Sequence, residues 1–68
     1  MNRYEVCFDY IVFEKHVFSI GGMIIPVMSV DTYHAIKEAR CMFYNSNKAN
    51  CDSGNIEILR IDARRVRK

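Results

Sequence analysis

The chain has 68 residues, of which 50% are hydrophobic and 26% charged, with a formal net charge of +2. This length allows one domain, residues 1-68, near the lower size at which an apolar core suffices unaided, and the apolar content excludes a disordered chain. A subunit contact is the cheapest extra source of burial, so a homodimer is expected.

The first predicted element is a strand over residues 3–13. Tyr4, Val6, Phe8, Tyr10 and Val12 are apolar or aromatic at every second position, while Arg3, Glu5, Cys7 and Asp9 between them are mostly polar. A period of two places one face in a core and leaves the other mostly wet. Glu14, Lys15 and His16 supply a tight reversal, and a second extended segment begins at Val17. Its two β-branched runs are separated by Gly21 and Gly22, which predict a bulge or kink. Pro26, lacking a donor, assigns this segment to a sheet edge.

Asp31 is a good N-cap for a helix over residues 32–44, with Val30 and Ala35 spaced as a hydrophobic staple. Ala35, Ile36, Ala39, Met42 and Phe43 form one apolar stripe, and the alanines predict close approach of the helix to the sheet. The polar stretch 45-55, with four asparagines, reads as a mobile loop. A last strand is predicted over residues 55–66. Its apolar positions change phase between Ile56, Ile58 and Leu59, Ile61, Ala63, and a bulge near Ile58–Leu59 keeps both sets inward. Residues 64-68 are expected to project as a basic C-terminal tail.

The order is β-β-α-β, and the fold class is α+β: a three-stranded, mostly antiparallel sheet with one helix packed on one face. The other face carries Cys7, Ile11 and Phe13, an apolar strip of the kind that meets a second chain.

Three cysteines cannot all pair within one chain, and the first residues lead into an alternating strand, not a secretory h-region. A reduced, cytoplasmic protein is expected. The longest uncharged run, residues 16–30, is 15 residues and is broken by Gly21, Gly22 and Pro26, so no membrane span is predicted.

No hydrolase, phosphate-loop, zincin or dinucleotide motif is present, and a non-enzyme is expected. Cys41 or Cys51 with His34 offers a thiol and a base, yet isolated Cys and His residues are more often structural. No pair of Cys or His residues has metal-ligand spacing, and neither a metal nor a cofactor is expected.

Charge separates along the chain: Arg60, Arg64, Arg65, Arg67 and Lys68 against Asp62 give the last nine residues +4, and the remainder is −2. A basic tail on an acidic body either keeps the protein solvated or binds an acidic surface or a phosphate backbone. Tyr33, Lys37, Arg40 and Tyr44 on the helix surface add aromatic and cationic groups suited to a partner or to single-stranded nucleic acid. These nine residues are the predicted partner-binding set.

In size and β-β-α-β layout the chain resembles the small phage- and prophage-encoded proteins that bind host machinery, among them anti-restriction and anti-CRISPR proteins. The resemblance implies inhibition of a host protein or nucleoprotein complex by surface occlusion in the host cytoplasm. The alternative is a direct RNA- or DNA-binding module using the basic segment.

Overall fold

The computed structural model describes residues 1–67. Its elements are β1 (Asn2–Glu14), β2 (Val17–Ser29), α1 (Thr32–Ser46), α2 (Lys48–Ser53) and β3 (Ile56–Val66). The sheet order is β2-β1-β3, with both pairings antiparallel, so the fold is α+β in the predicted β-β-α-β order, with a short helix added.

β1 is central because its alternation serves two neighbours at once. Glu14 pairs with Val17 across a two-residue loop. Lys15 there takes a φ of 57°, the left-handed geometry that matches hairpin twist. Beyond the hairpin the helical layer covers the even face of β1. Tyr4, Val6 and Phe8 are buried against Ile25 and Val27 of β2 and Ala35, Ala39 and Phe43 of α1. The two alanines let α1 settle close enough for Phe43 to stack on Phe8, with ring centroids 4.7 Å apart, and to meet Tyr10 edge-on at 5.3 Å.

Asp31 caps α1 as predicted, its carboxylate accepting from the His34 backbone N–H at 2.8 Å. The apolar stripe is narrower than expected: Ala35, Ala39 and Phe43 are buried, Ile36 is half-buried, and Met42 is exposed. Val30 is exposed too, so it does not act as an effective staple.

Three expectations are corrected. β2 runs through Gly21 and Gly22 as unbroken strand without any shift in its register with β1, so there is no bulge. Gly21 faces Tyr10, and a β-carbon at Gly21 would lie 2.7 Å from the Tyr10 ring. The glycine makes room for an aromatic ring. Residues 48–53, expected within a loop, form α2, and its end is set by Gly54 at φ 72°. Arg64 and Arg65, assigned to a projecting tail, are paired residues of β3.

The predicted bulge is present. Asp9 pairs with Arg60 and Tyr10 with Ile58, leaving Leu59 as the extra residue. Ile56, Ile58, Ile61 and Ala63 thereby share the helix side, whereas Leu59, assigned inward from the sequence, is exposed. β2 is an edge strand, as Pro26 required.

Candidate interaction surface

Register decides where each predicted binding residue points. Arg3, Glu5, Cys7 and Asp9 lie on the face of β1 opposite the helices, and the β3 residues paired with Glu5, Cys7 and Asp9 are Arg64, Asp62 and Arg60. Arg60 and Arg64 therefore stand on the uncovered face, and both are engaged. Arg60 Nε lies 2.8 Å from Asp62 Oδ2, and Arg64 forms an ion pair with Glu5 across the strands. The hydrogen bond to Glu5, reinforced by its charge, holds the Arg64 guanidinium above its ordinary pKa. All of these side chains are largely exposed except Glu5, so the pairs set local geometry more than stability.

Arg65, one residue on, points to the helix side beside Tyr4, and its Nη2 donates to Asn2 Oδ1 at 3.0 Å. Alternation thus splits neighbouring arginines between two surfaces. Arg65 and Arg67 flank a notch at the end of the sheet with Met1, Asn2, Arg3, Met28 and Val66. Met1 and Met28 also border a shallow groove that reaches His34, Lys37, Glu38 and Cys41. Lys37 continues into a third groove with Tyr33, Ile36 and Arg40. The first two depressions share Met1 and Met28 and the last two share Lys37; together they are lined by Arg3, Lys37, Arg40, Arg65 and Arg67, with Glu38 the acid among their lining residues. Tyr33 stands there 69% exposed.

Tyr44 belongs elsewhere. Its hydroxyl donates to Asp52 of α2, and Lys48 lies over its ring at 5.9 Å while reaching Asp52 at 3.4 Å. That hydrogen bond raises the Tyr44 pKa, since ionisation would set two negative oxygens together. Tyr44 ties α2 to α1 instead of standing free as an anchor. Lys68 lies outside the described residues.

Of the predicted set, then, Tyr33, Lys37, Arg40, Arg65 and Arg67 line this series of depressions, Arg40 also lining a groove with Tyr44 and Glu57, while Arg60 and Arg64 are on the sheet face and Tyr44 is at the α1–α2 junction. The sequence reading missed Arg3. Its signal lay in the pairing: an antiparallel β1–β3 ladder brings the start of β1 to the end of β3, and Arg3 pairs with Val66.

His34 and Cys41 line one groove, but Cys41 is seven residues along α1, about 10 Å at the helical rise, outside hydrogen-bonding reach. The His34 Nδ1 is instead 2.7 Å from Asp31. Among the described residues no three His, Cys, Asp or Glu side chains gather closely enough to hold a metal ion. Among them, too, no helix is long and apolar enough to cross a membrane. Comparison with protein-family models, with curated proteins and with solved structures returns no match.

Proposed function

We propose that this is a small binding protein that acts by covering an acidic surface on a host protein or nucleoprotein complex. The observation that carries the reading is the basic end of the molecule. Arg3, Lys37, Arg40, Arg65 and Arg67 line a series of neighbouring depressions that share lining residues, with Tyr33 exposed beside Lys37 and Arg40 and with Glu38 as the opposing acid. Arginine and tyrosine are the residues that most often dominate binding energy, because they combine large contact area with directional donors. Several cations on one small surface also steer an acidic partner during encounter. Such a protein inhibits by occupying a site, with no chemistry of its own.

Direct binding of single-stranded RNA or DNA is the second reading, favoured by Tyr33, which offers a stacking face beside Lys37 and Arg40. The two separate by salt and by substitution. In the first reading, a host-lysate pull-down retains a defined partner with the wild type and with Arg60→Ala/Arg64→Ala. The partner is lost with Tyr33→Ala/Arg40→Ala/Arg65→Ala, and labelled oligonucleotides do not shift at low salt. An oligonucleotide shift that weakens steeply as salt rises establishes the second reading instead. Retention of the partner by the Tyr33/Arg40/Arg65 variant overturns the basic end as the site.

A further inference from the structure

The face of the sheet that the helices leave open is divided lengthwise. Along β2 it carries Phe18, Ile20, Gly22, Ile24, Pro26 and Met28, a row without a charge. Phe18 is 60% exposed, Ile20 72%, Ile24 62% and Met28 50%. Phe13 and Ile11 of β1 border the row, with Phe13 and Phe18 in ring contact at 6.3 Å. Along β3 the same face carries Glu57, Arg60, Asp62 and Arg64 in alternating sign. A contiguous apolar band of this size on so small a domain is unusual for a monomer.

We infer that this open face binds a second copy of the chain, the two sheets packing face to face about a two-fold axis perpendicular to the strands. Two features of the face single out a second copy. First, the sign order along β3 is minus, plus, minus, plus, and read backwards it is plus, minus, plus, minus. An antiparallel copy therefore sets every cation of this row over an acid, while a two-fold along the strands would lay this charged row over the uncharged β2 row. The same rotation lays the uncharged β2 row on its own counterpart, so the two outer rows are self-complementary, as a two-fold interface requires, while on β1 it sets Arg3, Glu5 and Asp9 opposite Phe13, Ile11 and Cys7 of the second copy. Second, the area is sufficient. With molecular extents of 43 × 18 × 14 Å the face offers roughly 700 Å² per copy, close to the ~800 Å² per partner of a standard interface. Aligned sheet packing at about 10 Å lets the isoleucines and phenylalanines interdigitate.

Edge-to-edge pairing through β2 is the competing arrangement, and the backbone opposes it. The Phe13 N–H donates to Asn55 at 2.6 Å, so odd residues of β1 bond towards β3 and even ones towards β2. In register, the odd residues of β2 face β1 and its even residues, Pro26 among them, present their backbone outward. Pro26 removes a donor from that edge and blunts it.

The basic end described above shares Arg3 and Met28 with this face but none of Ile20, Ile24, Arg60 and Asp62, on which the test acts, so failure of either proposal leaves the other standing. The test is sedimentation equilibrium on the full chain and on charge and apolar variants whose fold is checked by far-UV circular dichroism. The wild type is expected at twice 8.0 kDa. Ile20→Asp/Ile24→Asp, at exposed positions that leave the core intact, is expected at the monomer mass. Arg60→Asp is expected to raise the dimer dissociation constant about tenfold, by placing acid over acid at two symmetry-related points. Arg60→Asp/Asp62→Arg is expected to restore it. A wild type that remains monomeric at the highest attainable concentration overturns the inference. So does a dimer indifferent to the isoleucine substitutions. A dimer that the isoleucine changes disrupt but the charge exchange does not rescue overturns the face-to-face arrangement in favour of the β2 edge.

Discussion

Gly21 has no side chain because Tyr10 occupies the space where one would be. A β-carbon at Gly21 would sit 2.7–2.8 Å from the tip of that ring, which also meets the ring of Phe43 edge-on. The ring is partly buried against the core and can move aside only by giving up packing, so Gly21→Ala is expected to destabilise the fold by about 1–2 kcal/mol. The adjacent Gly22 has no such neighbour: its β-carbon would make ordinary contacts at 3.7 and 3.8 Å. Gly22→Ala is therefore expected to be neutral or to stabilise by roughly 0.5 kcal/mol, through the lost freedom of the unfolded chain. Chemical denaturation of both variants, with Gly21→Ala repeated in a Tyr10→Leu background where its cost should vanish, checks the pair.

At the scale of elements, each helix depends on one terminal residue. Asp31 accepts from the His34 backbone N–H and from its ring, and these bonds hold the carboxylate below its ordinary pKa of 3.8. A pKa lowered by folding contributes stability that is complete above the ordinary value and is lost as pH falls through the folded one. The difference in thermal midpoint between wild type and Asp31→Ala is therefore expected to be constant from about pH 5 to 7 and to shrink below pH ~4. A difference that grows with acid would contradict the capping role. α2 ends on Gly54 at φ 72°, which any other L residue adopts at a cost. Gly54→Ala is expected to cost about 1 kcal/mol, and hydrogen exchange should locate the loss in residues 48–53 while β1 keeps its protection.

For the whole molecule, a core built on Tyr4, Val6, Phe8, Ile25, Val27, Ala35, Ala39 and Phe43 is small, and the open face adds no burial unless it is covered. If a second copy covers it, folding and association are linked. The thermal midpoint is then expected to rise by roughly 5 °C per tenfold increase in protein concentration, in scanning calorimetry across a dilution series. A midpoint independent of concentration would count against the paired state.

Much of this architecture was legible in the residues. The alternation from Tyr4 to Val12 locates β1 because burial of one face demands a period of two. Asp31 locates α1 because its carboxylate satisfies an orphan N–H. The change of phase between Ile58 and Leu59 marks the bulge. The misses share a physical cause, partners remote in sequence. The reason for Gly21 is Tyr10 on the opposite strand, and α2 has polar residues with no periodicity, so only Gly54 at its end marks it in the sequence. The basic tail dissolves as a unit because the pleat sends Arg64 and Arg65 to opposite sides, and Glu5, 59 positions away, claims the first. The same pairing brings Arg3 beside Val66, which no local pattern announces.

The additional residue in β3 gives the strand one position more than its neighbour needs. Excising Leu59 would set Ile58 directly before Arg60, opposite Tyr10 and Asp9, with every other side chain keeping its present side. Shortening a strand at its middle ordinarily inverts all that follows. Here the deletion should leave the spectrum unchanged and the stability within about 1 kcal/mol, whereas excising Asp62 should abolish folding. The sheet holds a spare position, and a codon lost there would pass without a structural trace.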